Sequence, residues 1–72
     1  MPNLMRFEGS IHGQYHSFAL DLDAEPPVVR DRLVQIQDIM KDGGQPSRED
    51  TEWAWGIALQ RKELLPHAIR PL

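Results

Sequence analysis

Between Leu4 and Leu22 the side chains alternate in character. Met5, Phe7, Gly9 and Ile11 are interleaved with Leu4, Arg6, Glu8 and Ser10, and Phe18, Leu20 and Leu22 with Ser17, Ala19 and Asp21. A period of two marks a strand with one buried face. His12-Gly13 divides the two runs, and a two-residue type I′ turn suits them, since Gly accepts positive φ and His tolerates it. The pattern predicts a β-hairpin with strands over 4–11 and 15–22. Its register sets Ile11 opposite Gln14, Gly9 opposite His16, Phe7 opposite Phe18 and Met5 opposite Leu20. The large apolar pairs then share one face, and Arg6, Glu8, Ser17 and Asp21 share the other. A slip of one residue would bury Glu8 and expose Phe18.

Asp21 to Pro27 closes the hairpin, because residues before proline favour extended backbone. Pro27 suits the first turn of a helix, where its missing N–H has no intrahelical role. Val28, Val29, Leu33, Ile36, Ile39 and Met40 then fall within an arc of about 140° on a helical wheel. Arg30, Asp31, Gln35 and Asp38 lie opposite. A helix over 27–41 follows, stopped at Asp42-Gly43-Gly44-Gln45-Pro46 with Gly43 as its C-terminal cap.

The next segment satisfies two templates. Ser47-Arg48-Glu49-Asp50 resembles a capping box. Acids at the start and Arg61 and Lys62 near the end match the helix dipole, and Pro66 supplies a stop. Yet Trp53, Trp55, Ile57 and Leu59 alternate with Ala54, Gly56 and Ala58 as a strand would. The cap, the charge order and the continuation to Leu65 favour a helix over 48–65. The fold expected is α+β, an N-terminal antiparallel hairpin followed by two helices, with ββαβ as the alternative if 52–60 is a third strand. The whole chain, 1–72, reads as one small domain, and 66–72 is expected to be a flexible tail.

Seventy-two residues make a thin core, and the absence of cysteine removes disulfides and thiolate metal sites as support. Binding to a partner or to a second copy is another source of stability. Met1 to Arg6 lacks the layout of a secretory signal and no apolar run is long enough to span a membrane, so a cytoplasmic protein without membrane partners is expected. The net charge of −3 is unevenly distributed. From Asp21 to Glu52 nine acids face four bases, whereas Arg61, Lys62 and Arg70 outweigh Glu63 beyond Trp53. The acidic stretch argues against direct nucleic-acid binding, which favours a basic stripe, and for a partner with a basic or apolar surface.

Motifs for chemistry are weak. His12 and His16 could share a strand face but lack a third ligand at metal-site spacing. Asp21, Asp23 and Glu25 begin like a calcium loop, but Pro26 and Arg32 stand where the loop needs Gly and Glu. No serine sits in a nucleophile elbow, and Gly43-Gly44 lacks the lysine of a phosphate loop. No cofactor, metal or catalytic residue is assigned.

On a helix, Trp53, Ile57 and Leu64 cluster within roughly 40°, with Trp55 and Leu59 on the far side of the wheel. A thin domain cannot readily cover both edges, and exposed tryptophans are common interface anchors. The expected function is a small non-catalytic protein-binding regulator or inhibitor, of the phage or mobile-element accessory type that acts on a host machine such as RNA polymerase. Its partner-binding residues are expected to be Trp53, Trp55 and Leu59 with Asp21, Asp23, Glu25, Glu49 and Glu52. Two alternatives are a nucleic-acid-associated regulator using Arg61, Lys62 and Arg70, and a self-assembling structural module or homodimer.

Overall fold

The computed structural model describes residues 3–71. Strands β1, Leu4–Ile11, and β2, Gln14–Asp21, form the hairpin. The sequence-derived register holds at every pair, including Phe7 opposite Phe18 and Met5 opposite Leu20. His12 and Gly13 both have positive φ, 53° and 78°, as a type I′ turn requires. The second strand ends one residue early. Leu22 instead opens a short 3₁₀ turn, Leu22–Ala24, capped by the Asp21 carboxylate accepting from the Asp23 N–H at 3.0 Å.

Helix α1, Pro27–Lys41, starts on its proline as expected. It closes in a Schellman arrangement, with Gly43 at φ 82°: the Gly43 N–H donates to the Met40 carbonyl and the Gly44 N–H to that of Ile39. Of its predicted apolar face only Leu33 and Ile36 are buried, with Val29 packed against them. Val28, in the first helical turn, is 84% exposed.

Helix α2, Arg48–Leu64, settles the ambiguous segment, and the strand alternative over 52–60 is excluded. Ser47 caps it, its Oγ accepting from the Asp50 N–H at 3.1 Å. Asp50 does not complete a capping box; its carboxylate accepts from Arg32 of α1 at 3.2 Å. The helix sits on the sheet through its smallest side chains, Ala54 and Ala58, both buried. This is how it satisfies both templates: the alanine ridge faces inward while the large residues flank it on either side.

The segment expected to be a loose tail carries structure over its described residues. A 3₁₀ turn, Pro66–Ala68, leads into strand β3, Ile69–Pro71, which pairs antiparallel with β2; Leu72 lies outside the described residues. The sheet order is β1-β2-β3, with β2 central. Met5, Phe7, Phe18, Leu20, Leu22, Leu33, Ile36, Ala54, Ala58 and Ala68 form one core between sheet and helices. Among the described residues no helix is long and apolar enough to cross a membrane.

Candidate functional site

The two tryptophans lie on opposite flanks of α2. Trp53 is half-buried beside α1, and the Arg32 guanidinium lies 4.2 Å from its ring centroid. Arg32 also reaches Asp50, so one arginine covers the ring and joins the helices. Trp55, likewise half-buried, turns under the hairpin. Its ring meets Phe7 at 5.2 Å and Phe18 at 6.2 Å edge-on, and lies 6.0 Å from His16. It also lies beneath Gly9, whose φ of 151° only glycine adopts readily; a Cβ there would sit 3.8 Å from Trp55 Cζ2. Lys62 closes the cluster, with Nζ 3.2 Å from His16 Nδ1 and 5.0 Å from the Phe18 centroid.

Between this flank of α2 and the hairpin tip runs a groove of about 530 Å³, lined by Ser10, Ile11 and His12 on one side and Thr51, Glu52, Trp55, Gly56 and Leu59 on the other. A second hollow of about 450 Å³ continues it past Gln14 and His16 to Lys62 and Glu63, sharing Ile11, His12 and Leu59. Ile11, Trp55 and Leu59 are half-buried and form an apolar floor. Gly56 is exposed, and a Cβ built on it would meet nothing within 4 Å. A glycine at mid-helix costs about 1 kcal/mol relative to alanine, and no packing among the described residues requires it. Along α2 the groove face reads Glu52, Gly56, Leu59, Glu63, an apolar and open centre with an acid at each end.

The acids named from the sequence do not assemble around it. Asp21 and Asp23 lie at the far end of the hairpin, Asp21 capping the 3₁₀ turn and lying 3.9 Å from Arg70, Asp23 accepting from the Asn3 N–H at 3.4 Å. Glu25 is interior, 5% exposed, with both carboxylate oxygens receiving the Arg61 guanidinium. It therefore presents no charge to a partner. Glu49 is exposed at the start of α2 away from the groove lining, and Glu52 is on the rim, paired with Arg48 at 3.0 Å. Sequence reasoning missed Ile11, His12, Gly56 and Glu63. The helical glycine was the signal for this face, since it breaks an otherwise continuous helical pattern without ending it.

Among the described residues no group of three or more His, Asp or Glu side chains converges as metal ligands would. No protein-family model, curated protein or solved structure matches the chain.

Proposed function

We propose that the chain is a non-catalytic, cytoplasmic protein-binding regulator that receives an apolar segment of its partner in the groove between α2 and the hairpin tip. The observation that supports this most directly is Gly56. It leaves the centre of the groove open at a cost in helix stability, directly beside the half-exposed Trp55 and Leu59. Close approach of a second backbone is the usual reason for a glycine at such a place. The ends carry both signs of charge, Glu52 with Arg48 at one and Glu63 with Lys62 at the other. The apolar floor of Ile11, Trp55 and Leu59 therefore favours a segment with an apolar centre. The half-exposed indole of Trp55 supplies an anchor of the kind that dominates protein interfaces.

Gly56→Gln tests the reading. It fills the groove on an exposed helix face, so the fold survives and its stability rises, while partner capture is lost. Peptide selection on the wild-type chain should return sequences with an apolar centre that do not bind the variant. Capture by Gly56→Gln at the wild-type level would overturn the groove assignment.

A further inference from the structure

The two edges of the sheet are not alike. On one side β3 carries Pro71, which has no N–H to offer a further strand. On the other side β1 runs for eight residues without a proline, and its outer edge pairs with no strand among the described residues. Ile11 and Gln14 close the two-residue turn, so Ile11, Gly9, Phe7 and Met5 exchange hydrogen bonds with β2. The N–H and C=O groups of Leu4, Arg6, Glu8 and Ser10 therefore point to the open side. The Leu4 carbonyl shows this directly, accepting from Gln37 Nε2 at 3.1 Å.

We infer that this edge pairs with the same edge of a second copy, β1 antiparallel to β1 about a two-fold axis through Phe7. The charge pattern selects both the occupant and the register. Arg6 and Glu8 flank Phe7 on the outer face, 2.7 Å apart within the strand. Centring the axis on Phe7 sets Arg6 opposite Glu8 of the second copy and Glu8 opposite its Arg6, so both cross-strand pairs are attractive. The same register matches Leu4 with Ser10 and Met5 with Gly9, so residues 4–10 pair and Ile11 falls beyond the partner strand, with the Leu4 carbonyl shared between Gln37 and the second copy. Its hydrogen-bonded pairs are Arg6 with Glu8, the residues whose backbone groups are open. The edge is also bordered by apolar surface, including Met40, which is 44% exposed beside Met5 and Arg6. A six-stranded sheet with isologous symmetry results. The pairing meets the partner groove only at Ser10, on the groove's rim, and uses none of Trp55, Gly56 and Leu59.

The test is sedimentation equilibrium with charge variants. Wild type should dimerise, whereas Arg6→Glu and Glu8→Arg, each folded by circular dichroism, should each associate at least about tenfold more weakly. Mixing the two should restore the dimer, because both acids of the first variant then face both bases of the second across the axis, while the repulsion within each strand is unchanged. A wild type that is monomeric at every accessible concentration, single variants that dimerise like wild type, or a mixture that stays monomeric would each overturn the proposal. Amide exchange of the wild type gives a check without variants: raising the concentration should slow Arg6, Glu8 and Ser10 selectively, and unchanged rates there would also overturn it. Gly56→Gln should dimerise normally, so failure of the groove and failure of the edge are separable.

Discussion

The Arg61 guanidinium grips the Glu25 carboxylate from 36 residues further along the chain, with Nε at 3.2 and 3.0 Å from its two oxygens. The pair ties the turn that follows the hairpin to the second helix, and it is almost wholly removed from water, with side-chain exposures of 18% and 1%. Burying two charges is expensive, and the cost is recovered only while both are present.

Removing one partner should therefore be far worse than removing both. Arg61→Ala is expected to lower the unfolding free energy by about 3–5 kcal/mol. A double replacement by Leu at 25 and Met at 61 should recover most of that loss. Urea denaturation of the three chains decides the matter; a cost below about 1 kcal/mol for Arg61→Ala would mean that the pair is effectively solvated.

Two glycines should respond in opposite directions. Gly9→Ala is expected to destabilise by about 1–3 kcal/mol, through backbone strain at φ 151° rather than through contact with Trp55, which is at ordinary van der Waals distance. Gly56→Ala should stabilise by about 1 kcal/mol, because its Cβ enters open space on a helix. Thermal melts of the two variants should shift to opposite sides of wild type.

Ser47→Ala removes the side-chain acceptor for the Asp50 N–H and should cost about 1 kcal/mol. Ser47→Asp should retain most of the wild-type stability, measured in the same denaturation series.

Arg32→Ala should cost about 1 kcal/mol and red-shift the emission of Trp53, since the guanidinium both covers the indole and reaches Asp50. Fluorescence of a chain with Trp55 replaced by Phe isolates that signal. An unshifted spectrum would mean that the ring is shielded by α1 alone.

The hairpin was readable to the level of individual pairs because a period of two and the His12-Gly13 turn impose the same register. The second helix was readable from its ends: Ser47, the acids after it, and Arg61 and Lys62 outweighed an alternation of Trp53, Trp55, Ile57 and Leu59 that local pattern alone assigns to a strand. What was hidden depends on distant partners. Three residues ending in proline carry no periodicity, so Ile69 to Pro71 becomes a strand only because β2 offers it an edge. Glu25 looked like one more surface acid because nothing near it in sequence announces Arg61. In the groove, Trp55 and Leu59 stood out by size, whereas Ile11 and His12 enter only when the hairpin tip folds over α2.

The placement of the indoles on opposite flanks of α2 makes the chain its own optical sensor. Trp55 borders the groove while packed on Phe7, Phe18 and His16, whereas Trp53 lies beneath Arg32 on the far side. If the proposed partner segment enters beside Gly56, it should alter the surroundings of one emitter and leave the other as an internal standard. With Trp53 replaced by Phe, a single-wavelength titration would read groove occupancy directly, with no label to disturb the surface being measured.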